Sequence, residues 1–200
     1  MVEVIDLDNP VEAIKRPSPD RVIQGVIEYC SIQRQGKSTL MVRDIVKLLP
    51  YYSPDDVYVN FPLYIEGVHC MENEELIEAM FKMKKDKVRR KIIGFDEVGQ
   101  ELKARQSWNQ RQTDCVSFAW QMPKMGIVLM YCSNPGNSAD IILRDATWKT
   151  IMPRYHKGET REEDYITADV IFDYELWVAH WRIEHLGPFQ DLFDSWWPVV

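Results

Sequence analysis

An α/β protein with a mainly parallel sheet flanked by helices, followed by an antiparallel β-hairpin, is what the sequence predicts. Three observations carry that expectation. Apolar, β-branched runs alternate with helical patterns along most of the chain, one of those runs is apolar throughout, and past Pro153 the pattern turns to a rough apolar–polar alternation. The 200 residues suit a single domain able to bury a core without metal or disulfide staples.

Residues 1–20 mix acidic side chains with Pro10, Pro17 and Pro19, which forbid continuous regular structure and read as an N-terminal arm. From Arg21 the run Val22, Ile23, Val26, Ile27, Tyr29 and Cys30 reads as a buried strand that stops at a polar loop. Ser38 to Leu49 follows at helical spacing and is closed by Pro50. Val57 to Phe61 reads as a short strand, Asn73 to Lys85 as an amphipathic helix, and Lys91 to Phe95 as a second apolar strand ending at Asp96. Glu101 to Met122 suggests one or two helices, and Gly126 to Ser133 is the continuous apolar run expected of a strand buried on both faces. Tyr165 to Phe172 and Leu176 to Ile183 form the expected hairpin around a break at Asp173 to Glu175. The organisation expected is one domain: arm 1–20, α/β core 21–152, and β appendage with aromatic tail 153–200.

Lys plus Arg is 24 against 31 Asp plus Glu, a net charge of −7, the wrong sign for coating nucleic acid through bulk charge. Any phosphate contact must be local. The four cysteines form no C-x-x-C pair and lie among apolar residues without a basic-then-apolar leader, which points to a reducing, cytoplasmic setting. The longest membrane-like run, Met125 to Ala139, is about fifteen residues and carries Ser133, Asn134, Pro135 and Asn137, too short and too polar to span a bilayer.

The first strand runs into Ser31-Ile32-Gln33-Arg34-Gln35-Gly36-Lys37-Ser38-Thr39. This matches G-x-x-x-x-G-K-[ST] at every fixed position except the first, where Ser31 replaces glycine. A loop between a strand and a helix N-terminus offers successive backbone N–H groups and the positive end of the helix dipole, so Gln33 to Thr39 can wrap a polyphosphate such as that of ATP. Lys37 then bridges the β- and γ-phosphates, and the Ser38 hydroxyl enters the shell of Mg²⁺. The first glycine usually makes the tight exit from the strand, where a Cβ is costly if φ is positive.

Lys91-Ile92-Ile93-Gly94-Phe95-Asp96-Glu97 is an apolar strand delivering two carboxylates, a Walker B pattern. In an open parallel sheet ligands sit beyond the carboxyl ends of the strands, so Asp96 falls at the same edge as Lys37 and is the expected second metal residue. Glu97 is suited to orient and deprotonate an attacking water, a role that hydrolysis needs. An acid pair also serves simply to cap a strand on a solvated loop. At the tip of the later strand Asn134 is a candidate for sensing the γ-phosphate, and an Asn before Pro is equally an ordinary turn residue. Arg144, Arg105 and Arg111 are candidates, in that order, for an arginine finger supplied to a neighbouring copy, although any one of them can be a plain surface residue.

Lys82 to Lys91 is a basic cluster in an acidic protein. It is a candidate for DNA contact, yet it precedes the Asp96 strand and so belongs at the opposite sheet edge, as a solvated helix end would. Trp177, Trp181, Phe189, Phe193, Trp196 and Trp197 could stack on bases or form a subunit interface, but core packing accounts for most of them.

On these motifs the chain resembles the FtsK/HerA superfamily of P-loop ATPases, and within it the genome-packaging ATPases of archaeal icosahedral double-stranded DNA viruses. Gly36-Lys37-Ser38, Asp96-Glu97 and Asn134, where that superfamily usually has Gln, carry the resemblance, with the tail Leu192-Phe193-Asp194-Ser195-Trp196-Trp197. Ser31 and Asn134 depart from the pattern. The resemblance implies a RecA-like core, assembly of copies into a ring, and ATP hydrolysis coupled to pulling double-stranded DNA into a capsid, with a capsid or portal-vertex protein as partner and no membrane. The competing expectations are a P-loop kinase of a small substrate, which Glu97 disfavours by inviting water, and a nucleotide-binding morphogenesis protein without turnover.

Overall fold

A computed structural model describes residues 25–96, 118–135, 141–172 and 177–193. The N-terminal arm, most of the Glu101–Met122 helical stretch and the tail from Asp194 onwards lie outside these residues.

Eight strands form one sheet: β1 (Gly25–Cys30), β2 (Val57–Val59), β3 (His69–Cys70), β4 (Ile92–Phe95), β5 (Val128–Ser133), β6 (Thr147–His156), β7 (Tyr165–Phe172) and β8 (Trp177–Ile183). Their order is β3-β2-β4-β5-β1-β6-β7-β8. The first six in that order run parallel, and β6, β7 and β8 pair antiparallel. The helices are α1 (Lys37–Leu48), α2 (Asn73–Asp86), α3 (Met122–Met125), α4 (Ile141–Ala146) and α5 (Gly187–Gln190). The mainly parallel sheet, its flanking helices and the terminal hairpin match the fold read from the sequence. No helix among the described residues is long and apolar enough to cross a membrane.

Because successive strand residues face opposite sides, each central strand feeds two cores. Ile27 and Tyr29 of β1 join Leu40, Met41 and Ile45 of α1 on one face, while Val26 joins Leu76 and Met80 of α2 on the other. β5 divides likewise, Val128 and Met130 to the α1 side and Leu129 and Tyr131 to the α2 side. Burial on both faces explains why this run reads as continuously apolar. α2 starts with a reciprocal capping box between Glu72 and Glu75 and ends at Lys87, whose φ of 53° closes the helix in the left-handed region.

The hairpin is continuous with the core. Ile166, Ala168 and Val170 of β7 and Ala179 and Ile183 of β8 pack in the same cluster as α1. Trp181, Phe189 and Phe193 belong to that packing too, as expected for the C-terminal aromatics. β6 links the two parts and crosses the boundary at residues 152 and 153. It is a ten-residue strand that sequence reasoning does not see, since Pro153 reads as a breaker. Proline is tolerated because β1 pairs with β6 only as far as Tyr29 opposite Ile151. Beyond it, Pro153 and Tyr155 turn backbone groups toward the loop that follows β1, not toward a ladder.

Candidate functional site

The loop 31–36 leaves β1 without strain at its first position. Left-handed φ values occur at Arg34 (62°) and Gly36 (84°), and Ser31 is not among the left-handed residues. The position that normally holds glycine therefore has no need of one. Ser31 instead uses its side chain: Oγ donates to the Pro153 carbonyl at 2.9 Å, while its N–H donates to Ser133 O at 3.3 Å. Gly36 is indispensable for a different reason. Besides its φ, a Cβ there would stand 2.4 Å from Cδ1 of Ile166. Left-handed residues alternating with ordinary ones are the backbone from which anion-binding nests are built. Gly36 caps α1 without any side-chain hydrogen bond, so the first turn of this twelve-residue helix offers its N–H groups to a ligand.

Four of the expected residues converge at the carboxyl ends of β1, β5 and β4. Lys37 is only 8% exposed, and its Nζ donates to Ser31 O at 2.8 Å, Ile32 O at 3.0 Å and Asn134 Oδ1 at 2.9 Å. Ser38 Oγ donates to Asp96 Oδ2 at 2.8 Å. The strand order makes this possible. β5 stands between β1 and β4, so the Asn134 tip lies between the loop and the acidic strand end. A hydroxyl and a carboxylate oxygen in contact form a hard, all-oxygen donor pair of the kind Mg²⁺ takes when phosphates and water complete its shell. The Ser38–Asp96 pair therefore fits the metal expected here.

Of the remaining loop residues, Gln33 and Arg34 are exposed, Thr39 is buried, and Gln35 Oε1 accepts the backbone N–H of Tyr155 at 3.1 Å. Glu97, Arg105 and Arg111 lie outside the described residues. Arg144 is exposed on α4, which leads into the amino end of β6, away from the carboxyl edge of the parallel strands that holds Lys37. With Glu28, Asp145 and Trp148 it lines a cavity of about 270 Å³. The basic cluster runs from the end of α2 to the start of β4, opposite the Asp96 edge. There Lys91 Nζ pairs with Asp56 at 2.5 Å and Arg90 donates to Tyr51 O at 2.8 Å. Burial alone would lower the Lys91 ammonium, and the Asp56 carboxylate together with the Tyr58 hydroxyl more than offsets it, so the net shift is upward.

Among the described residues, the two cysteines nearest the site are unsuited to nucleophilic work. Burial pushes the Cys132 thiol well up, with the Asp96 charge adding to it, and burial likewise raises Cys30. Sequence reasoning missed the backing of the loop by β6 and β7, and it missed Asn60, whose amide grips the backbone of Asp96. A polar residue just past the strand at Val57 to Val59 was the available signal for Asn60. No local signal marked Ile166 or Tyr155.

No family model and no curated protein sequence matches the chain. Solved structures do resemble it. The N-terminal domain of zonular occludens toxin from Neisseria meningitidis superposes with a TM-score of 0.56 at 13% identity, covering 86% of this chain and 100% of that one. The genome packaging NTPase B204 of Sulfolobus turreted icosahedral virus 2, in complex with ATP-gammaS, gives 0.54 at 12% identity over 82% and 98%. The flagellar accessory protein FlaH of Methanocaldococcus jannaschii gives 0.53 at 16% identity over 80% and 86%. At such identities the likeness establishes the fold, which is that of the RecA-like P-loop NTPases.

Proposed function

We propose that this chain is a Mg²⁺-dependent ATPase whose turnover drives double-stranded DNA, in the packaging of a viral genome into a capsid. The observation that carries the ATPase reading is the meeting of Lys37 with Asn134 and of Ser38 with Asp96 at the ends of three neighbouring parallel strands. DNA as the load is supported by the resemblance of the motifs to packaging ATPases and by the fold shared with B204.

Before nucleotide arrives, the Lys37 ammonium is held by two loop carbonyls and the Asn134 amide oxygen. Phosphate oxygens are stronger acceptors for an ammonium, so ATP draws Nζ onto the β- and γ-phosphates. That exchange frees Asn134 to turn its amide toward the γ-phosphate or the attacking water. Ser38 and Asp96 would hold Mg²⁺, which would supply positive charge to offset the charge of the phosphates during transfer. Glu97 takes the proton of the water as its oxygen bonds to the γ-phosphorus and the bond to the β-phosphate oxygen breaks, leaving ADP and phosphate. Charge on the transferred group is met by a guanidinium from the next copy in a ring, with Arg144, Arg105 and Arg111 as candidates. Arg144 stands away from its own Lys37, as an arginine acting on a neighbour must. Ring assembly also gives a small acidic chain repeated grips on DNA. A capsid or portal-vertex protein is the expected partner, and the host cytoplasm the setting.

The test is Mg²⁺-ATP hydrolysis by the purified chain with and without double-stranded DNA, using Lys37→Ala as the blank. DNA-stimulated turnover absent from the blank is expected, and Glu97→Gln should lose at least about 100-fold in rate while still binding ATP. Nucleotide-dependent assembly without turnover would overturn the ATPase reading. Transfer to an added alcohol acceptor faster than hydrolysis would overturn it in favour of a kinase. Turnover indifferent to DNA would overturn the translocation part alone.

A further inference from the structure

Asn60 follows the last residue of β2, at the same sheet edge as Asp96. Its own N–H donates to Gly94 O at 3.2 Å, extending the pairing of β2 with β4 one step past the end of the strand. Its side chain then does what a further strand residue would do. The Asp96 N–H donates to Asn60 Oδ1 at 2.6 Å, and Asn60 Nδ2 donates to the Asp96 carbonyl at 2.9 Å. The same Nδ2 donates to Oδ1 of Asn73, the first residue of α2, at 2.7 Å. One orientation of the amide satisfies all three bonds, because a flipped amide would set its NH₂ against the Asp96 N–H.

This clamp falls where it matters. β4 ends at Phe95, and a residue just past a strand end ordinarily has a free choice of backbone orientation. Here both backbone groups of Asp96 are taken, including the carbonyl of the peptide that leads to Glu97. With the backbone fixed, the Asp96 carboxylate is held 2.8 Å from Ser38 Oγ. The amide accepts from one backbone group through Oδ1 and donates to the other through Nδ2, one atom for each bond. Aspartate would lose the donors and add a charge beside Asp96, and alanine would lose everything.

We propose that Asn60 is a positioning residue for Asp96: its amide pairs with the Asp96 backbone and so presents the carboxylate to the divalent ion of a bound nucleotide. The inference rests on the nucleotide reading of the site given above. Partners that orient a metal-binding carboxylate through hydrogen bonds commonly contribute 10–100-fold to metal affinity or activity. They do so without touching the ligand.

The experiment uses the full chain and compares wild type with Asn60→Ala and Asn60→Ser. Mn²⁺ is titrated into protein saturated with ATPγS and free Mn²⁺ is read by electron paramagnetic resonance. ATPγS affinity without metal is measured beside it, and kcat and KM for ATP are taken separately. The expected result is Mn²⁺ affinity weakened about tenfold or more, KM for metal-bound ATP raised about as much by the same thermodynamic cycle, a fall in kcat, and metal-free nucleotide affinity unchanged, since the Lys37 loop is untouched. Folded variants with wild-type Mn²⁺ affinity and kcat would overturn the role of Asn60 while leaving the nucleotide site standing. Equal loss of metal-free nucleotide affinity would also overturn it, as would failure of both variants to fold, since either means Asn60 only supports structure. A wild-type chain that binds no Mn²⁺-nucleotide would overturn the site itself, and the Asn60 role with it.

Discussion

Restoring the glycine that the phosphate-loop pattern calls for at position 31 should weaken this protein. Ser31 lies outside the left-handed region, so glycine there relieves no backbone strain. What Ser31→Gly removes is the Oγ bond to Pro153 O at 2.9 Å, part-buried and worth about 1 kcal/mol net. It also adds freedom to the unfolded chain, a further loss of about 0.5–1 kcal/mol. The total, about 1.5–2 kcal/mol, corresponds to roughly 3–8 °C in Tm for a chain of this size. Ser31→Ala separates the two contributions. It loses the bond and keeps the backbone restriction, so it should fall by about 1 kcal/mol, near 2–4 °C. The assay is thermal unfolding of the three proteins without nucleotide, with ATP affinity measured in parallel. Because Ser31 also anchors the start of the loop to β6, the glycine variant should bind ATP a few-fold more weakly. A Ser31→Gly protein that melts at or above wild type, or binds ATP more tightly, would refute the reasoning and return position 31 to the ordinary glycine role.

Two further outcomes follow from neighbouring residues. Gly36→Ala should abolish ATP binding and cost at least about 1–2 kcal/mol, for its φ of 84° alone and before the 2.4 Å approach to Ile166 Cδ1 is counted. Adding Ile166→Val removes that methyl, so the double variant should regain part of the stability and the two changes should not add in chemical denaturation. Lys149 is 8% exposed, its Nζ lies 4.6 Å from the Trp181 ring, and burial lowers its ammonium below the ordinary range. Lys149→Met should therefore stabilise the fold, on the order of 1 kcal/mol. The sign with pH is fixed. Between the lowered folded value and the unfolded value near 10.4 the unfolded chain holds more protons, so wild-type stability from this group rises with pH across that window. The advantage of Lys149→Met should shrink as pH climbs through it, as read by denaturation at a series of pH values.

The parts of the site legible in the sequence are those whose signal is local. Gly36-Lys37-Ser38 stands directly between a β-branched run and a helical pattern, and Asp96 ends an apolar run, so sheet-edge reasoning alone brings them together. The continuous apolar run of β5 gave its burial, but not its place between β1 and β4, since strand order depends on pairings between distant segments. β6 was hidden because Pro153 lacks the N–H a ladder needs, and nothing nearby tells that β1 has already ended there. At Ser31 the glycine rule misleads, because the sign of φ there is a property of the finished loop. Asn60 carries no motif at all. Its importance comes from two backbone groups 36 residues further along.

The hairpin that the sequence presents as an appendage is the wall on which the phosphate loop leans. Ser31 bonds to Pro153, Gln35 to Tyr155, and Gly36 has room for no side chain because Ile166 fills the space. Below the loop, Glu28 of β1 accepts from Ser133 of β5 at 2.8 Å and Thr150 of β6 at 3.2 Å, tying three strands across the sheet. Each of these contacts joins residues more than 100 positions apart, and all but the Glu28–Ser133 bond are lost if β6 to β8 separate from the core. The loop is thus shaped as much by β6 and β7 as by its own sequence. That is why a Cβ at Gly36 and the loss of the Ser31 hydroxyl both act on the loop through C-terminal strands that no phosphate-loop pattern includes.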